Sequence, residues 1–297
     1  MLFNPPARPT MSIKKYPTCI GYCALIFWVL AAPFTATVKS LPLFETLSLT
    51  FLVSFLFSAM QLTLRRQWAA LKQPWPLYLL GFIGIYGNQI LYVASFKYAP
   101  ASHADLINYL WPILILVLTG FLPNEQRSSK HLLAACFGFA GVYILLCQGE
   151  TGFDRQYLQG YLLAFTGALV WALYSVTARF FNKAPVDMIG LCCGLAAVSS
   201  GVLHVTYETT VLPQGREWAV LLLMGLTTQG LAYFFWDFGI KKGDFKLLSL
   251  LSYGNPVLSM LLLILLGMAS PTRELLIAFS LVALGGVIGM VSWNKED

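Results

Sequence analysis

An amide, two aromatic rings and a proline interrupt an otherwise apolar run, INYLWPILILVL, at positions 107–118. On a helix, Asn108, Trp111 and Pro112 are spaced i, i+3 and i+4, so their side chains share one face. Pro112 has no backbone N–H, so the carbonyl of Asn108 loses its helical donor and needs another partner. A freed carbonyl and an amide beside an indole suit a zwitterion that carries an aromatic ring. The cluster predicts a binding surface.

The same interruption recurs 144 residues later, in the run LSYGNPVLSMLL. Tyr253 and Pro256 occupy the places of Tyr109 and Pro112, and Pro256 frees the carbonyl of Ser252 in the same way. We therefore expect helix kinks at both prolines and two half-sites that face each other.

Other polar and aromatic residues on neighbouring apolar stretches are candidates for the same surface. The predicted substrate-binding residues are Asn88, Gln89, Tyr92, Asn108, Tyr109, Trp111, Trp171, Tyr174, Trp236, Ser252 and Tyr253. Stacking on a substrate ring contributes roughly 0.5–1.5 kcal/mol per contact, so several rings are needed and specificity should be loose. The alternative role for these side chains is helix packing or an aromatic belt at the membrane interface.

Charged residues inside apolar stretches are functional candidates by default because a membrane interior penalises them. Asp237 and Lys241 are spaced i, i+4, which predicts a structural ion pair. Ser102 and Asp105 form an S-x-x-D pattern, which predicts a helix cap. Since no deep, unpaired carboxylate is evident, we expect facilitated diffusion rather than proton coupling.

The composition determines where these residues act. Of 297 residues, 58% are hydrophobic and 11% are charged, whereas soluble domains carry roughly 25% charged residues. This predicts an all-α membrane protein that crosses the lipid bilayer many times. A helix needs about 20 mostly apolar residues to cross. Ten stretches qualify, at about 18–38, 43–64, 77–97, 102–122, 130–148, 158–180, 186–207, 217–240, 245–267 and 273–293.

Lysine and arginine are unevenly shared between the predicted connections. If both termini are cytoplasmic, 14 of the 19 basic residues lie in cytoplasmic segments, as the positive-inside rule requires. The net charge of +6 then reflects topology, and we expect no nucleic-acid partner.

Matched residues recur along the chain at nearly constant spacing, which predicts an internal repeat. Trp28 matches Trp171 at an offset of 143, the tyrosine–proline pairs match at 144, and Gly141 matches Gly286 at 145. Each copy contains five spans, and an odd number turns the second copy over in the membrane. Inverted repeats are typical of secondary transporters, whose substrate site lies near the midplane. The predicted parts are a cytoplasmic tail (1–17), a first repeat (18–150), an inverted second repeat (151–293) and a cytoplasmic tail (294–297).

With these features the chain resembles the drug/metabolite transporter superfamily of EamA-like, ten-helix proteins. The stretches NYLWP (108–112), GALVWALYSVTARF (167–180), AYFFWDFGIKKGDF (232–245) and SYGNPVLS (252–259) are similar to those of bacterial aromatic amino acid exporters. The resemblance implies ten helices around a central cavity and export of phenylalanine, tyrosine and tryptophan from the cytoplasm. Asp237 departs from the neutral polar residue expected after the tryptophan, which leaves a different substrate or a local salt bridge open.

Other functions remain as alternatives at this stage. A multidrug or other small-metabolite exporter of the same superfamily is the main one. An integral-membrane enzyme is remote, because the histidines fit no metalloprotease spacing and no nucleophile-elbow motif is present. We therefore expect no catalytic residue, no metal and no cofactor. The expected protein is a monomeric, multi-pass protein of the bacterial inner membrane.

Overall fold

The computed structural model describes residues 11–120, 129–147 and 154–293, and every regular element in these ranges is helical. Its α-helices, numbered in chain order, are α1 (Met11–Val29), α2 (Ala31–Thr37), α3 (Leu43–Arg65), α4 (Trp75–Phe82), α5 (Asn88–Ser95), α6 (Ala101–Asn108), α7 (Trp111–Thr119), α8 (Ser129–Cys147), α9 (Leu158–Ala178), α10 (Met188–Tyr207), α11 (Arg216–Leu226), α12 (Ala232–Lys242), α13 (Phe245–Leu251), α14 (Gly254–Leu265) and α15 (Arg273–Trp293). The predicted C-terminal tail and residues 1–10 of the predicted N-terminal tail lie outside these ranges.

Two wide π-helical turns interrupt long helices at equivalent places. Ile83–Gly87 joins α4 to α5, and Thr227–Leu231 joins α11 to α12, so the turns are 144 residues apart. Turns of this kind are rare and often occur at functional sites. The first turn directly precedes Asn88 and Gln89, and the second lies five residues before Trp236; all three are predicted to bind substrate.

Both predicted proline kinks coincide with breaks between helices. Tyr109 and Leu110 separate α6 from α7, and Leu110 N–H bonds the carbonyl of Ile107 instead of a residue four back. In the second half, α13 ends at Leu251 and α14 begins at Gly254, with a bend of 41°. Because proline supplies no N–H, the carbonyl one turn before it lacks its helical donor and the backbone reorganises there.

Six helical stretches among the described residues are long and apolar enough to cross a membrane, or seven if the bent pair α13–α14 forms one span. Ten spans were predicted. The apolar stretches His103–Thr119 and Ser129–Ile144 are shorter than the six, and the break in the first of them shortens its helices. The structure therefore supports a many-times membrane-spanning protein.

Four helix pairs form the framework of the bundle. The helices α3 and α10 pack together, as do α8 and α15, α1 and α12, and α5 and α9. Glycine permits two close approaches: a methyl group on Gly84 would lie 2.3 Å from the Tyr174 ring, and one on Gly190 would lie 2.0 Å from Ser58 Oγ. Small residues at such positions allow helices to approach each other closely.

Candidate functional site

A cavity of about 770 Å³ opens into the bundle and is lined by residues from both halves of the chain. We call it the central cavity. Seven predicted site residues line it: Asn88, Gln89, Tyr92, Asn108, Tyr109, Trp111 and Trp171. At one end its lining includes the exposed residues Lys39 and Phe96, whereas Trp111 and Trp171 are buried. The cavity therefore opens at the end of the bundle where α2 and α5 end.

Four tryptophans close the deep end of the central cavity, and we call them the tryptophan layer: Trp28, Trp111, Trp171 and Trp236. Trp236 lies at their centre, with its ring centroid 5.4 Å from that of Trp111 at an interplanar angle of 88°. It is fully buried and is not among the cavity-lining residues, so it supports the other rings from behind. Edge-to-face contacts of this kind are favourable because ring edges are positive and ring faces negative.

Hydrogen bonds fix the orientation of two of these rings. The indole N–H of Trp28 donates to the carbonyl of Thr228 over 3.1 Å, and that of Trp236 donates to Ser175 Oγ over 3.1 Å. Thr228 lies in the second π-helical turn, whose backbone thereby supplies an acceptor to a helix of the other half. The layer is thus held by directional contacts as well as by packing.

Amide side chains supply the polar part of the lining. Asn88 follows the first π-helical turn and donates from Nδ2 to the carbonyl of Gly167 over 2.9 Å, which ties α5 to α9. Among the described residues, neither Asn108 Oδ1 nor Gln229 Oε1 has a protein hydrogen-bond donor, although both atoms are buried. Buried acceptors without protein partners are uncommon, and the expected donor is a water molecule or a ligand.

Asp105 also lines the central cavity, and the prediction that it caps a helix is wrong. Helix α6 begins at Ala101 with Pro100 as its N-cap, so Asp105 lies on the second turn. Its carboxylate accepts a hydrogen bond from the hydroxyl of Tyr92. The side chain of Ser102, the other member of the predicted pair, lies outside the described residues. The S-x-x-D pattern missed this role because Tyr92 approaches from α5.

The predicted ion pair between Asp237 and Lys241 is confirmed, with Lys241 Nζ 2.7 Å from Asp237 Oδ2. Asp237 is buried, and its Oδ1 accepts a hydrogen bond from the Tyr174 hydroxyl over 2.9 Å. Tyr174 was predicted to bind substrate, but it is not among the residues that line the central cavity. Together with Cys192 it lines a small separate cavity of about 20 Å³.

Ser252 and Tyr253, the other predicted site residues of the second half, are buried away from the cavity lining. Ser252 Oγ donates to the carbonyl of Leu248 in its own helix over 2.8 Å. The ring of Tyr253 packs so closely on Gly138 that a methyl group there would lie 2.6 Å from it. From this motif, Asn255 and Pro256 line the cavity instead.

The lining residues that were absent from the predicted set of site residues include Asp105, Thr228, Gln229 and Asn255. Thr228 and Gln229 lie in the second π-helical turn, which no sequence pattern indicated. Asn255 directly precedes Pro256 in the recurring motif. Its polar side chain next to the proline could have indicated a lining residue, but the sequence repeat pairs Asn108 with Ser252 and not with Asn255.

Comparisons with known proteins agree on one family. The model of the "EamA-like transporter family" matches the chain twice, over residues 16–147 and 158–292. The "Aromatic amino acid exporter YddG" of Ancylobacter novellus is 36% identical over 278 residues, which covers 93% of this chain and 97% of that protein. The protein with the same description in Escherichia coli is 29% identical over 204 residues, 61% of this chain and 65% of its own.

A solved structure gives the same fold. A chain described as "Crystal structure of protein" superposes with a TM-score of 0.91 at 35% sequence identity. The superposition covers 96% of this chain and 99% of the other.

Proposed function

Because the chain belongs to the EamA-like transporter family, we propose that it exports phenylalanine, tyrosine and tryptophan across the bacterial inner membrane. The observation that carries this proposal is a central cavity of about 770 Å³ lined by indole rings and amides. Small-molecule sites usually measure about 300–1,000 Å³ and combine apolar walls with a few placed polar groups. The relative from Ancylobacter novellus is described as an aromatic amino acid exporter.

The substrate ring is expected to lie against the tryptophan layer. Trp28, Trp111 and Trp171 line the cavity, and Tyr233 adds a further ring 5.8 Å from Trp28. Each stacking or edge contact contributes roughly 0.5–1.5 kcal/mol, so three or four together give useful but tolerant binding. One cavity of this kind is suited to phenylalanine, tyrosine and tryptophan alike.

Transport by alternating access follows from the proposed architecture of ten spans in two inverted repeats. The family model matches once in each half of the chain. The π-helical turns recur at an offset of 144, and the pairing of α1 with α12 has its counterpart in that of α5 with α9. Two similar halves in opposite orientations can exchange conformations, which opens the site to each side in turn.

The distribution of basic residues supports an outward-open form in this structure. With both termini in the cytoplasm, the end of the bundle with Lys39 and Lys97 faces outward, and the central cavity opens at that end. The cytoplasmic side is closed by the tryptophan layer and by the bonds from Tyr174 and Lys241 to Asp237. Export then requires this closed end to open.

We further propose facilitated diffusion. Asp105 lines the cavity without a basic partner among the described residues, so the expectation that no deep, unpaired carboxylate exists is wrong. A role for Asp105 in holding the substrate itself is compatible with transport down the substrate gradient.

Uptake of labelled phenylalanine into liposomes that contain the purified protein tests the proposal. Facilitated diffusion predicts that the internal concentration rises to the external value and no further, with or without a pH gradient. Accumulation above that value under a pH gradient would contradict facilitated diffusion. Failure of all three amino acids to enter, alongside entry of planar aromatic drugs, would favour a multidrug exporter instead.

A further inference from the structure

Asp105 and Asp237 both lie in helices of the bundle, and their surroundings differ sharply. Asp237 is neutralised by Lys241 Nζ at 2.7 Å and accepts a second bond from Tyr174. In the described part of the chain, no lysine or arginine forms an ion pair with Asp105, whose recorded partner is the neutral hydroxyl of Tyr92. A charge in a membrane protein normally has a partner, because removing it from water is costly. When it is ionised, Asp105 therefore lacks a counter-ion within the described part of the chain.

The central cavity is the place from which such a cation can come. Asp105 is half-buried and lines the cavity, as does Asn108. The two residues are spaced i, i+3 on α6, so they are neighbours on one helix face about 4.5 Å apart along the axis. Asn108 Oδ1 is buried and has no hydrogen-bond donor among the described residues. This face of α6 thus combines an amide oxygen that lacks a donor with a carboxylate whose recorded donor is one neutral hydroxyl.

An ammonium group complements this face. It carries a positive charge and three N–H donors but no acceptor. Bonds from an ammonium to a carboxylate are charge-assisted and roughly twice as strong as neutral ones. Trp111 follows Asn108 by three residues, so an acceptor pair and an aromatic ring succeed one another along the wall of the cavity.

We infer that the Asp105 carboxylate, together with Asn108 Oδ1, binds the ammonium group of the substrate while the ring lies against the tryptophan layer. This inference rests on the proposed function and extends it, because it makes a primary ammonium group the required feature of the substrate. The carboxylate of the amino acid then contributes less to selection than the ammonium does. Aromatic amines should bind, and aromatic acids without an ammonium should not.

Three indole compounds separate these requirements in the unaltered protein. Tryptophan carries both charged groups, tryptamine only the ammonium, and indole-3-propionate only the carboxylate. Each is added as a competitor of labelled phenylalanine exchange in liposomes that contain the full chain. We expect tryptophan and tryptamine to inhibit at concentrations within a few-fold of each other, and indole-3-propionate to require at least about tenfold more. Equal inhibition by indole-3-propionate and tryptophan would overturn the inference.

The variant Asp105→Asn assigns the requirement to this residue. It keeps the shape of the side chain and its capacity to accept a bond from Tyr92, but it removes the charge. We expect inhibition by tryptophan to weaken about tenfold, while inhibition by indole-3-propionate is unchanged or stronger. The ratio of the two inhibitory concentrations should then approach one. The matched control is Glu274→Gln on α15, because Glu274 is not among the residues that line the central cavity. This variant should keep the same preference for tryptophan over indole-3-propionate as the unaltered protein.

Tyr92→Phe provides a second test that leaves the charge in place. Removing the hydroxyl frees the Asp105 carboxylate from a competing donor, so the preference for tryptophan over indole-3-propionate should persist or increase. If the Asp105→Asn protein is monodisperse and still prefers tryptophan over indole-3-propionate by the original ratio, Asp105 does not bind the ammonium group.

Failure of the inference and failure of the proposed function give different results. If phenylalanine does not exchange but labelled tryptamine does, the substrate class is wrong and the ammonium site stands. If phenylalanine exchanges and indole-3-propionate competes as well as tryptophan, export of aromatic amino acids stands and the ammonium site fails.

Discussion

The hydroxyl of Tyr174 donates to Asp237 over 2.9 Å and joins α9 to α12 one turn beyond the tryptophan layer. Trp171 precedes Tyr174 by three residues on α9, and Trp236 directly precedes Asp237 on α12. The same two helices thus supply a ring to the layer and a polar contact to the closed end. In the proposed export cycle this end opens, and the Tyr174–Asp237 bond must break for it to do so.

Replacing Tyr174 by phenylalanine should open the proposed cytoplasmic end more often. Cys192 reports on it, because its buried thiol lines the same small cavity as Tyr174. We expect maleimide labelling of Cys192 to accelerate about tenfold in Tyr174→Phe, since a hydrogen bond to a charged group contributes about 1.5–3 kcal/mol. The measurement uses protein in which the other cysteines are alanine. Tyr207→Phe, at an exposed tyrosine, is the control and should label at the starting rate.

Asp237→Asn should destabilise the protein strongly. It leaves the largely buried ammonium of Lys241 without its counter-ion, and breaking a buried pair costs about 3–5 kcal/mol. A lower midpoint of thermal unfolding in detergent is the expected result. Adding Lys241→Met should recover much of the loss, because the double variant has no unpaired charge. An additive, further loss in the double variant would contradict a direct pair.

Gly84→Ala should destabilise the bundle, because the new methyl group would lie 2.3 Å from the ring of Tyr174 and would push α9 away. We expect a loss of about 1–3 kcal/mol, as for other overpacked interiors, seen as a lower unfolding midpoint. Gly286→Ala is the matched control, because no atom lies within 4 Å of the added methyl group. It should be neutral, or stabilising by up to about 1 kcal/mol through helix propensity.

Trp111→Ala should weaken transport without loss of the folded protein from the membrane. The substitution removes one wall of the central cavity, and with it roughly 0.5–1.5 kcal/mol of stacking on the substrate. The expected change is a several-fold higher concentration for half-maximal phenylalanine exchange. Trp218→Ala removes an exposed tryptophan from α11 and should leave exchange as it was. Equal effects of both variants would assign Trp111 to packing alone.

The sequence predicted those parts of the site that depend on local chemistry. Pro112 and Pro256 coincide with helix breaks because a missing N–H acts within one turn of the chain. Asp237 and Lys241 form the ion pair that their i, i+4 spacing predicts. In both cases the partners lie on the same element, so no knowledge of packing between helices was needed.

The remaining parts depend on contacts between helices. Asp105 matched a capping pattern, yet its position is set by Tyr92 of α5, thirteen residues earlier in the chain. Tyr174 faces Asp237 rather than the cavity, because close packing at Gly84 fixes how α9 lies against the end of α4. The π-helical turns carry no sequence signature of their own, so Thr228 and Gln229 were missed.

Exchange of labelled phenylalanine for internal tryptophan tests the central claim most directly. Liposomes that contain the full chain are loaded with unlabelled tryptophan and diluted into a trace of labelled phenylalanine. We predict a transient accumulation of label above its external concentration, which then decays, whereas loading with alanine gives none. Label that never exceeds the level in protein-free liposomes, with the protein folded and inserted, would contradict the claim that this cavity carries aromatic amino acids.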